Sequence, residues 1–384
     1  MSQTLSPVES ARAGGDLPSG FLDGLSAWVR LESPTHEAAA VGRMMDLVIA
    51  AANEASISSE RVAGTQGLGD NVILRAGPAS DIPGILVLSH LDTVHPVGTI
   101  ENGLPLRTEG DRLYGPGVYD MKGGAYLALH AFMQAAKAAP HLPLVYLFTS
   151  DEEIGSPSTR GLIEDLGRRA AYVLVTEPAR DGGKVVTSRK GVGRFDVHVE
   201  GRPSHSGTRH SEGRSAIREA ARQIVAIEGM TDYALGVTTN VGMISGGTAA
   251  NVVPQHCRFS VDLRVETAAD GEAYTERLLG LQAFNRDTRL AISGGMNRPP
   301  YERTEPVVRL FEKARVLARE IGLDLQDVPR TGGGSDGNFT AALGVATLDG
   351  LGVDGDGAHT LEEYALISSI QPRMTLMRRL LETL

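Results

Sequence analysis

Three continuous apolar runs, GILVLSH (84–90), LPLVYLF (142–148) and AYVLVTE (171–177), set the strongest constraint on how this chain folds. Each is short for a helix and too continuous for a strand with one wet face, so each predicts a strand covered on both sides. Helical periodicity fills the intervals in GGAYLALHAFMQAAKAA (123–139) and STRGLIEDLGRRA (158–170), and precedes the strands in FLDGLSAWVRL and VGRMMDLVIAAANEA. Strand and helix alternating in this way imply an α/β fold, a mostly parallel sheet flanked by helices.

The rhythm changes near residue 190. GRFDVHVEG alternates polar and apolar residues as a half-exposed strand does, and a helix follows in GRSAIREAARQIVAIEGM. Further one-faced strands (GVTTNVGMIS, VVPQHCRFSVDLRV, TRLAISGG) and a helix around 268–284 describe a small α+β layer. After MNRPPYER the α/β rhythm resumes, with a helix at about 305–321, the strand GVATLDG and a last helix at 367–382. A chain of 384 residues is long for one core. The expected organisation is therefore a first domain in two parts, 20–189 and 298–384, with a smaller domain inserted at 190–297.

In open α/β sheets ligands bind beyond the C-terminal ends of the strands. His90 and Asp92 follow the first apolar run, Glu152 and Glu153 the second, and Glu177 ends the third. Asp120 lies in the turn GPGVYDMKGG ahead of a helix, and His359 in the Gly-rich stretch DGDGAHTLEEY. The row Asp151-Glu152-Glu153 is unfavourable without a cation and favourable with one or two. Two imidazoles with several carboxylates suit zinc or a similar first-row divalent ion. Three carboxylates (Asp120, Glu153, Glu177) and two histidines (His90, His359) give each of two ions three ligands if one Asp bridges. Glu152 is then left adjacent and unbound, where a general base belongs. Asp92, two residues after His90, is placed to accept a bond from that ring's other nitrogen.

The totals exclude several classes. A net charge of −10 with no basic run argues against a nucleic-acid partner. No apolar segment approaches the roughly 20 residues of a membrane span, so no membrane partner is expected. Cys257 is the single cysteine, which rules out an internal disulfide or a thiolate cluster. The first twenty residues lack a basic start followed by an apolar stretch and read as a loosely tied leader, giving a cytoplasmic expectation.

The motifs SHLDTVHPVG, GPGVYDMKGG, TSDEEIGS, TEPA, RPSHSGTRHSEGRSAI, GGTAANVVP, RTGGGSDG and GDGAHTLEEY occur in that order from about residue 85 onward. In this the chain resembles the zinc-dependent aminoacylase and carboxypeptidase superfamily, which includes glutamate carboxypeptidase, acetylornithine deacetylase and succinyl-diaminopimelate desuccinylase. The resemblance implies a catalytic domain with two divalent metal ions, zinc first and cobalt or manganese as substitutes, and an inserted dimerisation domain that makes a homodimer. It implies that His90, Asp120 and Glu177 hold one ion and His359, Asp120 and Glu153 the other, with Glu152 as base. It further implies that His205, in RPSHSG, reaches the active site of a partner subunit, and that Asn251, Arg264, Arg298 and Gly334 contact substrate. Glu177 is the residue of the carboxypeptidase and deacylase branches, and NRPPYE and RTGGGSD lean toward glutamate carboxypeptidase. Lys184 is the candidate for that enzyme's substrate-carboxylate lysine, while His95, His198 and His256 read as structural.

The expected activity is hydrolysis of an amide bond next to a free carboxylate in a small-molecule substrate. An N-acyl amino acid deacylase, or another C–N amidohydrolase with an unusual substrate, is the alternative within the same chemistry. A binding protein on the same scaffold is the alternative outside it; its mark would be a replaced ligand or base, and none is replaced.

Overall fold

Residues 16–384 are described by the computed structural model of the chain; the leader expected over the first twenty residues falls largely outside them. The chain divides into two units, Met1–Val186 with Glu305–Val328 and Val345–Leu384, and Thr187–Thr304 with Pro329–Gly344. The second unit therefore takes in residues 298–304 and 329–344, which the sequence rhythm had assigned to the larger domain.

In the first unit six strands form one sheet in the order Ser58–Val62, Asn71–Ala76, Leu144–Thr149, Gly84–His90, Ala170–Val175, Ala346–Leu348. Four of them run parallel, and Ser58–Val62 and Asn71–Ala76 form an antiparallel edge. The mostly parallel expectation holds because the apolar runs are the central strands. Gly84–His90 is buried at every position, as its lack of alternation requires. Helices Ala38–Glu54, Gly123–Lys137, Glu305–Glu320 and Ile367–Thr383 bring Met44, Met45, Phe132, Phe311 and Met377 into the core with Ile85, Val87, Tyr146 and Leu174 of the sheet. Gly124 has no side chain because a Cβ there would lie 2.1 Å from the carbonyl oxygen of Thr176. That absence lets helix Gly123–Lys137 press its first turn onto the end of a strand.

A second, antiparallel sheet of four very short strands runs in the order Gly355–Asp356, Tyr364–Leu366, Arg112–Tyr114, Arg107–Glu109. Its hairpin from 355 to 366 carries His359.

The second unit is an antiparallel sheet in the order Thr238–Gly246, His256–Val265, Gly191–Glu200, Arg289–Arg298. Burial alternates along Gly191–Glu200 from Gly193 on, which places Phe195, Val197 and Val199 inside and His198 outside. Helices Ala216–Glu228 and Ala268–Leu279 cover the inner face with Ala220, Ile227, Tyr274 and Leu278. Each starts on a hydroxyl cap, Ser215 accepting from Arg218 N–H and Thr267 from Asp270 N–H.

Candidate metal centre

Every proposed ligand lies in the first unit, and the structure brings them together. His90 closes its strand and is 2% exposed. Its Nδ1 donates to the carbonyl oxygen of Asp92 at 2.9 Å, which leaves Nε2 to face the carboxylates. That Nε2 lies 3.2 Å from Asp120 Oδ1 and 3.7 Å from Glu177 Oε1. His359 Nε2 lies 3.5 Å from Asp120 Oδ2 and 3.1 Å from Glu153 Oε2. The two oxygens of Asp120 thus turn to two different imidazoles. Glu152 also offers an oxygen, within 4.8 Å of ligand atoms of His90 and Glu177.

The electrostatics are those of a site built for cations. Burial disfavours a charged His90, yet bonds to Asp120 and Asp92 hold its pKa well above the ordinary imidazole value. Hydrogen bonds to Asp120 and Glu153, against partial burial, push His359 up to about 10. Burial opposes ionisation of Asp120, but the bonds from His359 and His90 win and hold its carboxyl far below the usual range. Burial pushes Glu153 up. Its Oε1 is buried with no hydrogen-bond partner, an orphan that a cation would satisfy. Hard carboxylate oxygens and two imidazoles fit zinc and its neighbours.

The three adjoining acids have three different surroundings. Asp151 is fully buried and holds its own loop, accepting from Ser158 N–H at 2.7 Å, from the Ser158 hydroxyl at 2.8 Å and from the Thr159 hydroxyl. Glu152 and Glu153 begin a single 3-10 turn, Glu152–Ile154, which Gly155 ends in a left-handed conformation at φ 96°.

Asp92 meets His90 through both its carboxylate and its backbone. Its carboxylate lies 3.5 Å from His90 Nδ1, and its backbone carbonyl accepts from the same nitrogen at 2.9 Å. The carboxylate oxygens serve other groups as well: Oδ1 accepts from Glu152 N–H, and Oδ2 from Glu153 N–H and the Thr35 hydroxyl. Asp92 thereby anchors the turn that presents Glu152 and Glu153.

The remaining candidates belong to the second unit, apart from Lys184. His205 is exposed, and its Nδ1 accepts from the N–H groups of Gly207 and Thr208 at 3.1 and 3.2 Å, so the ring proton sits on Nε2 as a donor. Asn251 is brought beside this turn, its carbonyl accepting from Ser206 N–H at 3.0 Å. Arg264 forks onto Asp262 at 2.7 and 3.0 Å and reaches the Gly332 carbonyl. Arg298, 4% exposed, pairs with Asp336 at 2.9 Å over the ring of Phe339. Gly334 packs against it, since a Cβ there would meet Arg298 Cδ at 2.7 Å. Both arginines thus already meet internal carboxylates. Lys184 sits in a turn closed by paired backbone bonds with Arg180.

Sequence reasoning missed Thr35 and Glu363, and it left His95 as merely structural. Glu363 is 1% exposed, and His95 Nε2 lies 3.1 Å from its Oε2. A Glu four residues after a ligand histidine was the available signal, and its neighbour Glu362 hid it.

A model of the family described as Peptidase family M20/M25/M40 matches residues 86–383. The chain is 30% identical over 322 residues to carboxypeptidase G2 of Pseudomonas sp. (strain RS-16), covering 82% of this chain and 77% of that protein. It is 28% identical over 335 residues to succinyl-diaminopimelate desuccinylase of Delftia acidovorans, covering 81% and 84%. Among solved structures, a tripeptidase from Staphylococcus aureus superposes with a TM-score of 0.75 at 20% identity, covering 94% of this chain and 97% of that one, which shows the shared fold.

Proposed function

Because the chain belongs to peptidase family M20/M25/M40 and is a metal-dependent hydrolase of that family, we propose that it cleaves an amide bond next to a free carboxylate, as a glutamate carboxypeptidase does. The observation that carries this reading is Asp120, whose two oxygens face His90 and His359 separately. His90, Asp120 and Glu177 would hold one divalent ion, and His359, Asp120 and Glu153 the other, with zinc the first candidate. When bound, such ions polarise the scissile carbonyl and lower the pKa of water.

The chain's own residues do the rest. Glu152 takes the proton of the attacking water and delivers it to the leaving nitrogen, a role that fits a carboxylate beside the ligands. Asp92 holds that turn in place through the two N–H groups it accepts. His205, with its proton on Nε2, donates to the developing oxyanion of a partner subunit's site in a homodimer. Asn251, Arg264, Arg298 and Gly334 bind the substrate's carboxylate end; the arginines exchange an internal carboxylate for the substrate's, a planar bidentate match.

The likeness to a desuccinylase supports a second reading, removal of an N-acyl group from an amino acid. One experiment separates the two. The purified protein, with its metal content measured, is offered N-acylated C-terminal glutamates, dipeptides and N-acetyl or N-succinyl amino acids. Preferred release of C-terminal glutamate supports the carboxypeptidase reading, and preference for simple N-acyl amino acids replaces it with the deacylase one. Turnover that survives complete removal of metal refutes both.

A further inference from the structure

We propose that Glu363 is a positioning residue for the metal centre, a buried carboxylate that fixes the backbone of Asp120 and ties together the segments presenting His90, Asp120 and His359. The inference rests on the reading of Asp120 as the bridging ligand.

Glu363 Oε1 accepts from the N–H groups of Tyr119 and Asp120, at 2.9 and 3.0 Å. Its Oε2 accepts from Gly117 N–H at 2.9 Å and lies 3.1 Å from His95 Nε2. Four partners match the acceptor capacity of one ionised carboxylate. Three of them are consecutive-turn N–H groups that form an anion cradle ending at the bridging residue itself. Gly117 makes the cradle feasible: it adopts φ 71°, and a Cβ there would lie 2.5 Å from Thr93 Cγ2.

The covalent connections give this cradle its significance. Glu363 follows His359 by four residues on the same hairpin, and His95 follows His90 by five. One side chain therefore links three segments, adding to the strand pairing of Tyr364–Leu366 with Arg112–Tyr114 and the bond from His90 N–H to Met121 Sδ that also join them. A carboxylate that merely closed the hairpin would need no bond to Asp120 N–H and none to His95. Partners that orient ligands in this way typically contribute 10–100-fold in metal affinity.

The test uses metal binding rather than turnover. Metal-free wild type, Glu363→Gln and His95→Phe are titrated with zinc chloride by competition calorimetry, and the visible spectrum of each is recorded with cobalt chloride. Glu363→Gln keeps length but turns an amide donor toward N–H groups; His95→Phe leaves the cradle whole and removes one tie. The expected result is a 10–100-fold weaker affinity for at least one equivalent in Glu363→Gln, a smaller loss in His95→Phe, and an altered cobalt spectrum in both. Two equivalents bound by both variants with affinity within about threefold of wild type, and unchanged cobalt spectra, overturn the proposal. If Glu363→Gln does not fold, His95→Phe decides by the same criterion. Asp120→Ala is the control for the underlying reading: if it binds both ions as wild type does, the bridge is refuted and the proposal falls with it.

Discussion

Loading the metal-free protein with zinc should expel more than one proton near pH 7.5. The number follows from the two imidazoles. His359 is pushed up to about 10 by its bonds to Asp120 and Glu153, and His90 is held well above the ordinary range by Asp120 and Asp92 despite its burial. His359 is then charged at pH 7.5 and His90 more charged than a ring of ordinary pKa, which would be only about 10% charged. Ligation requires neutral rings, so His359 gives up about one proton and His90 more than the roughly 0.1 of an ordinary ring. Glu153, raised by burial, adds to the release and does not subtract from it. Zinc titrations in two non-chelating buffers of different ionisation enthalpy read the proton count directly. A His359→Gln variant should release about one proton fewer than wild type. The apparent affinity for the ion that His359 holds should rise by about one log unit per pH unit while that ring is charged. The sign for stability runs the other way. Because the folded pKa values lie above the unfolded one, the rings stabilise the metal-free fold fully below about pH 6.5 and lose that contribution as pH rises toward 10. A release near 0.2 protons, with affinity flat from pH 7 to 8, would refute the reasoning.

Three further outcomes are expected. Glu152→Gln should lose about 10²–10⁴ in kcat while keeping its metal by elemental analysis; near-normal turnover removes Glu152 as the base. Gly124→Ala, which sets a Cβ 2.1 Å from the Thr176 carbonyl, should cost about 1–3 kcal/mol in denaturant unfolding, and an unchanged midpoint would show that helix Gly123–Lys137 yields at no cost. Mixing inactive His205→Ala with inactive Glu152→Ala chains should restore part of the activity, since a heterodimer holds one site with both residues intact; no rescue after demonstrated subunit exchange counts against a shared site.

The centre of the larger sheet was legible because its chemistry is local. GILVLSH is a strand at the residues its pattern marks, and His90 ends it, since a run apolar on both faces has one way to be buried. The acids after LPLVYLF were legible as a group but not as individuals. What separates Asp151, which holds Ser158 and Thr159, from Glu152 and Glu153 is a turn of the backbone that like-charged neighbours do not encode. The spacing of Asp92 from His90 points to the contact of its carboxylate with Nδ1, but not to the second contact from its carbonyl or to the N–H groups of Glu152 and Glu153 that it also holds. Glu363 and His95 lie 268 residues apart, and no spacing rule reaches that far. The strands of the small sheet, two or three residues each, are too short to show any period. Residues 298–304 and 329–344 belong with the second unit, and neither stretch carries a period that marks its setting; the helix Gly337–Ala342 is too short to show one.

The last strand of the larger sheet, Ala346–Leu348, pairs with Ala170–Val175, and the whole second unit is strung between them in the chain. Ring closure across a flexible tether grows only as the logarithm of its length, so roughly 170 residues cost about 2 kcal/mol more than roughly 20 would. Even that difference applies only while the tether is unstructured. Once the inserted residues have folded, the tether behaves as a short one, and forming the outer pair of the sheet is hardly slower for the interruption. A chain arranged this way can carry a large insertion between two adjacent strands at little thermodynamic cost, and the edge position of Ala346–Leu348 lets it be the last strand to dock.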